Sequence, residues 1–241
     1  MLKARRQGSF VLLVRVLIWL ALRRRFQGIY LIGAENLQAL GRKQSLVVCA
    51  NHTNWWDGFV AGLLTAQRLR KRFYVVQEER HLRRYWFFRF AGAFGVDLDA
   101  PGKALATVRH AQALLKQPGA AVWIFPQGKL MAPDEPIRVR RGATYIAARA
   151  GAAILPCALR YEFRDQENPF IFVAFGRPLP APAADETLQA ELQRLVREAK
   201  RFADPDVPLP ECALLRSKLS INELWDACVA LIRGLLRRRY P

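Results

Sequence analysis

Short apolar runs alternate along this chain with longer segments of mixed polarity. Leu46-Val47-Val48-Cys49-Ala50 and the run Ala120–Phe125 (AAVWIF) are continuous, brief and bounded by polar residues. That is the pattern of strands buried on both faces. Ile29–Ile32, Phe73–Gln77, Phe94–Leu98, Ala153–Tyr161 and Pro169–Phe175 read as further strands. Helices are expected from Asp57 to about Gln67, over 80–91, from about Lys103 to Lys116 after a turn at Pro101-Gly102, over 143–150 and over Thr187–Phe202. After a Pro-rich turn at 205–210 the chain ends in a basic helix. There Ile221, Leu224, Trp225, Cys228, Val229, Ile232, Leu235 and Leu236 form one apolar stripe. This alternation predicts an α/β fold: a mixed, mostly parallel central sheet flanked by helices, with N- and C-terminal amphipathic membrane-associating helices. The expected divisions are 1–28 for a basic, apolar first helix, 29–205 for the α/β domain and 206–241 for the last helix.

The first helix changes the picture. Residues 10–22 are apolar except for Arg15 and would span about 20 Å as a helix, short of the about 30 Å of a bilayer's hydrocarbon. No small-residue cleavage site follows, so the segment reads as an interfacial or shallowly inserted helix, with packing on the domain as the alternative. The net charge is +18 over 241 residues. Such an excess calls for an anionic partner: phospholipid headgroups, nucleic acid or a phosphorylated substrate. Arg5, Arg6 and Arg23–Arg25 flank the first apolar stretch, Arg237–Arg239 follow the last, and Arg83 and Arg84 stand beside Trp86, Phe87 and Phe88. Charge beside apolar and aromatic residues favours an anionic membrane surface, with no nucleic acid expected.

The four cysteines, Cys49, Cys157, Cys212 and Cys228, have no metal-ligand spacing, and with three histidines and no HExxH or CxxC no metal is expected. They read as buried thiols in a reducing compartment. Candidate chemistry concentrates at NHTNWWD, 51–57, where His52 ends a buried strand and Asp57 follows five residues on. A carboxylate there can hold one ring nitrogen while the other takes a proton from a hydroxyl. His81 and His110 fall in expected helices without a carboxylate at that offset. A second special loop, Phe125-Pro126-Gln127-Gly128-Lys129, also follows a buried strand. Both loops are expected at the carboxyl ends of strands, where ligands bind in open α/β sheets. Trp55 and Trp56 are read as shaping an acceptor pocket. Cys49 is read as strand core, since no base for it is evident.

In this order the motifs resemble those of the glycerolipid acyltransferase superfamily, whose best-known members acylate lysophosphatidate. The family's N-H-x4-D is matched by Asn51, His52 and Asp57. Gly92, Phe94, Val96 and Asp97 fall near its second motif, Phe125, Pro126 and Gly128 match F-P-E-G-T, and Ile154-Leu155-Pro156, preceded by Arg141-Gly142, resembles its fourth. Two positions depart. Leu98 stands where the family has an arginine used for the acceptor's phosphate, and Gln127-Lys129 replace Glu and Thr around Gly128.

The resemblance implies direct acyl transfer from acyl-CoA or acyl-carrier protein to a lipid acceptor hydroxyl, with no cofactor, at the cytoplasmic face of the cell membrane by peripheral or monotopic attachment. His52 and Asp57 would be catalytic. Asn51, Trp55, Trp56, Phe125, Pro126, Gln127, Gly128, Lys129 and Arg141 would form the substrate site, with oxyanion donors from backbone N–H groups or side chains near Gly128. The departures favour an acceptor such as a glycosylated lipid or carotenoid glycoside over a lysophospholipid, although Lys103, Lys129 or Arg141 could supply a phosphate site. Two alternatives stand beside this: a non-catalytic basic membrane- or nucleic-acid-binding protein on a degenerate acyltransferase fold, and a thioester hydrolase.

Overall fold

The computed structural model describes residues 1–97 and 101–216. The expected C-terminal helix and its apolar stripe, Cys228 and Leu98 lie outside them, as does the side chain of Lys103. Helix α1 (Gly8–Arg25) leads into β1 (Gly28–Ile32) and β2 (Leu46–Ala50), followed by α2 (Asp57–Leu64) and β3 (Arg72–Glu78). Then come α3 (Glu79–Arg84), α4 (Phe88–Ala91), β4 (Ala93–Val96), α5 (Pro101–Leu115), β5 (Ala120–Ile124) and α6 (Gly142–Ala150). β6 (Ala153–Glu162), β7 (Phe170–Phe175), α7 (Asp185–Lys200) and β8 (Ala213–Arg216) complete the order.

The strands form one eight-stranded sheet in the order β4-β3-β5-β2-β6-β7-β1-β8. β4, β3, β5, β2 and β6 run parallel. β7 is antiparallel to β6, β1 parallel to β7 and β8 antiparallel to β1. The five-residue runs of β2 and β5 are buried throughout, as two covered faces require. Val48, Ala50, Trp123 and Leu155 pack with α1 and α2 residues on one side. Val47, Cys49, Val122 and Ile154 pack with α5 and α6 residues on the other. α7 covers the β6–β7 end through Leu195 and Ala199.

Three expectations need correction. The aromatic basic segment 80–91 is two short helices separated by Tyr85–Phe87, not one. The chain turns there so that Gly92, at φ +115°, passes close to β3, and a Cβ on it would meet the Phe73 carbonyl oxygen at 2.3 Å. Pro101 opens α5 rather than forming a turn before it, since a first-turn proline lacks only an N–H that the helix leaves unbonded. Finally, β8 follows the Pro-rich turn and pairs with β1, a strand that its local sequence did not reveal.

Register positions the site. Cys49 stands opposite Ile124 on β5, so the segments after β2 and β5 leave the sheet side by side. On the other flank Ala50 faces Cys157, and β6 continues five residues further to Glu162. Its extension overhangs the loop that carries His52. Asn51 joins the two: its side-chain amide donates to the Leu159 carbonyl (2.9 Å) and its oxygen accepts from the Leu159 N–H (2.7 Å). The side chain thereby prolongs the ladder past the end of β2.

Candidate active site

Asp57 is the first residue of α2 and its side chain is fully buried. A buried carboxylate must be bonded at both oxygens, and a helix N-terminus favours its charge. Its Oδ2 faces His52 Nδ1 at 2.8 Å and accepts from the backbone N–H groups of Thr53 (2.9 Å) and Asn54 (3.0 Å). Its Oδ1 accepts from the Tyr161 hydroxyl at 2.6 Å. A carboxylate only accepts, so the neutral imidazole carries its proton on Nδ1, and Nε2 is left with a lone pair. The His52 ring stacks on Phe125 with centroids 4.4 Å apart and planes 23° apart, which fixes its tilt. Its side chain is one-quarter exposed.

The second loop meets the first through the backbone. Gln127 Oε1 accepts from the His52 N–H at 2.9 Å, and the Met131 N–H donates to the His52 carbonyl at 2.9 Å. The turn itself is closed by the Gly128 N–H donating to the Phe125 carbonyl (3.0 Å), with Gly128 at φ +75° and the Arg140 guanidinium 3.2 Å from where its Cβ would be. Asp134, further along, is gripped by Lys200 and Arg160, each at 3.0 Å, and the hydrogen bond from Lys200, then that from Arg160, hold its carboxyl below the usual range.

His52 lines a cavity of about 1180 Å³. Apolar side chains from α1, α2 and β3 form much of its wall, among them Val14, Ile18, Phe59 and Phe73. Of the residues read from the sequence as substrate-binding, Trp55, Phe125, Pro126, Gly128 and Lys129 line this space. Asn51, Trp56, Gln127 and Arg141 do not. Asn51 and Gln127 are structural ties, Trp56 packs edge-on against Phe26, and Arg141 points outward beside Asp185, 96% exposed. The neighbouring Arg140 lines the cavity instead. The sequence does not single out Tyr161. The strand expected over Ala153–Tyr161 includes it, but no local pattern pairs it with Asp57, 104 positions away. Cys49 and Cys157 are buried, and burial pushes both thiols well above their usual range, so neither supplies a thiolate. Among the described residues no group of three His, Cys, Asp or Glu side chains could hold a metal ion.

A paired imidazole and carboxylate, the one after the carboxyl end of β2 and the other at the amino end of α2, opening on a largely apolar cavity, suit proton transfer on an amphiphilic substrate. The sequence model of the acyltransferase family matches residues 28–160, which include both loops, and the chain belongs to that family: it is an acyltransferase. Among solved structures it is similar to the 1-acyl-sn-glycerophosphate (LPA) acyltransferase PlsC from Thermotoga maritima, with a TM-score of 0.55 and 16% sequence identity over 80% of this chain and 79% of that one. At that identity the likeness is one of fold.

Proposed function

We propose that this acyltransferase moves a fatty acyl chain from an acyl thioester, on CoA or an acyl carrier protein, to the hydroxyl of a lipid acceptor. His52 is its general base and Asp57 its orienting carboxylate. The observation that carries this is the 2.8 Å contact between His52 Nδ1 and the buried Asp57, which commits one nitrogen and leaves Nε2 as the base of a cavity-lining ring. Nε2 takes the acceptor's proton as its oxygen attacks the thioester carbonyl carbon. The tetrahedral intermediate collapses with cleavage of the C–S bond, and the imidazolium returns the proton to the thiolate. Products are an ester and a free thiol, with no covalent enzyme intermediate.

The developing oxyanion needs donors. The Gly128 N–H is already bonded to Phe125, so cavity-lining side chains beside it, Lys129 and Arg140, suit the role better than that amide. The same two cations offer a place for an anionic acceptor group. Lysophospholipids therefore stand with glycosylated lipids as acceptor classes, even though Gln127 faces the His52 backbone and not the cavity. The exposed apolar face of α1 and the basic residues that end it support attachment to an anionic membrane surface from one side, which we place at the cytoplasmic leaflet.

The test is incorporation of labelled acyl chain from acyl-CoA or acyl carrier protein into lysophospholipid or glycolipid acceptors. His52→Ala is expected to lower transfer at least ~100-fold. Equal transfer by the two proteins would remove His52 from the mechanism, and free fatty acid as the sole product would mean that water is the acceptor.

A further inference from the structure

The two oxygens of Asp57 are bonded from different parts of the chain. Oδ2 is bonded from its own loop, by His52, Thr53 and Asn54. Oδ1 is bonded by the Tyr161 hydroxyl at 2.6 Å, 104 positions away on the overhanging end of β6. We propose that Tyr161 is a positioning residue of the His52–Asp57 pair, an inference that rests on the general-base reading of His52. Its hydroxyl fixes the rotation of the carboxylate so that Oδ2 meets the imidazole, and it draws off part of the charge that the imidazole feels.

Tyr161 is itself held in place. Its ring packs on Phe26, at 5.8 Å between centroids, and Phe26 stands edge-on to Trp56 at 5.4 Å. The residue that ends α1 thus closes over both the tyrosine and the loop before Asp57. Burial, the Asp57 charge and the hydrogen bond together push the phenol well above its usual range, so it remains a donor at any working pH. The titratable groups that face Asp57 are His52 on its own loop and Tyr161 and Cys157 on β6, with Cys49 of β2 next to Cys157. Both thiols are buried and neutral. On the cavity side Lys129 and Arg140 line the same space as His52, and their charge is the same with or without the Tyr161 hydroxyl, so among the groups bonded to Asp57 the imidazole and the phenol are the ones whose change the comparison reads.

The direction of the effect follows. While the imidazole is neutral the carboxylate carries its full charge and leans most on Tyr161. Once the imidazolium forms, the charge is shared. Removing the hydroxyl therefore disfavours the neutral, basic form of the pair more than the protonated one.

Tyr161→Phe keeps the ring on Phe26 and deletes only the donor. In steady-state acyl transfer its kcat is expected to fall about tenfold, the scale of one hydrogen bond to a charged group, with KM little changed. The acid limb of the kcat–pH profile is expected to move up by about half a unit. A loss of rate with that limb unmoved would mean a merely structural role and would overturn the proposal, as would an unchanged kcat and profile. His52→Ala, run alongside, separates the two readings: if it is inactive while Tyr161→Phe behaves as wild type, only the role of Tyr161 falls. Should Tyr161→Phe fail to fold, 3-fluorotyrosine at position 161 keeps the packing and strengthens the donor. The acid limb must then move down, and a limb that stays in place refutes the proposal.

Discussion

The side-chain oxygen of Gln127 accepts from the backbone N–H of His52 at 2.9 Å, and this bond ties the loop after β5 to the loop after β2. The glutamine where the resembling family has glutamate keeps an acceptor at that point while carrying no charge. Gln127→Ala leaves the His52 N–H without its partner. It is expected to cost about 1–3 kcal/mol of stability and to lower transfer through misplacement of the imidazole. Gln127→Glu keeps the tie and should retain more activity than Gln127→Ala. Denaturant titration and initial rates on the three proteins check the order.

Much of this arrangement was legible in the sequence, for identifiable reasons. The runs of β2 and β5 are continuous and apolar because both faces are covered, and the polar clusters after them had to be loops at one edge. The break between α3 and α4 was not legible, because Tyr85–Phe87 contains neither glycine nor proline and the turn is set by how Gly92 passes Phe73. β8 was missed because four residues after a Pro-rich turn become a strand only by pairing with β1, far away in sequence. Asn51, Trp56, Gln127 and Arg141 share loops and motifs with residues that line the cavity, but adjacent side chains on a loop point in different directions, and sequence proximity does not encode which of them faces the open space. Tyr161 depends on register between β2 and β6, which no local pattern encodes.

The Asn51 amide bonds both the N–H and the C=O of Leu159 and is buried. Asn51→Asp replaces the donor by a second acceptor, setting an oxygen against the Leu159 carbonyl. It is expected to destabilise the fold by about 2–4 kcal/mol, more than Asn51→Ala, which leaves both backbone groups unbonded but adds no charge. Thermal and urea unfolding would rank them. Equal stability of Asn51→Asp and wild type would show that the tie to Leu159 contributes little.

Residues before α1 are held along β4 in part by His110, whose Nε2 accepts from the Ala4 N–H at 3.3 Å while its ring stands edge-on to Phe94. Burial, and then the Lys3 charge, lower its proton affinity in the folded protein. The unfolded chain therefore takes up this proton first as pH falls. The contribution to stability is complete above the unfolded value of about 6.5 and is lost progressively as pH falls through and below it. His110→Gln removes the titration and can keep an acceptor. Its unfolding midpoint should fall less than that of wild type between about pH 7.5 and 5.5. Parallel curves for the two proteins would exclude His110 as the source.

Leu12, Leu13, Val16, Leu17 and Leu20 are exposed on α1, with Leu12 61% accessible, and Arg23, Arg24 and Arg25 occupy its last turn. No helix among the described residues is long and apolar enough to cross a membrane. An apolar face ending in cations is suited to lying in a lipid interface, its leucines among acyl chains and its arginines at anionic headgroups. Leu13→Asp with Leu17→Asp changes only side chains that face outward, so folding should be preserved. Burial of one leucine is worth roughly 1.5–3 kcal/mol, so the double variant is expected to lose more than tenfold in partitioning to vesicles of anionic phospholipid. Vesicle co-sedimentation of the wild type should weaken as salt is raised, because screening shortens the reach of the arginines, but should not vanish while the leucines remain buried. Undiminished sedimentation of the double variant would move the contact to another surface. Trp86 and Phe87, both exposed on the turn between α3 and α4, would then be the next positions to alter.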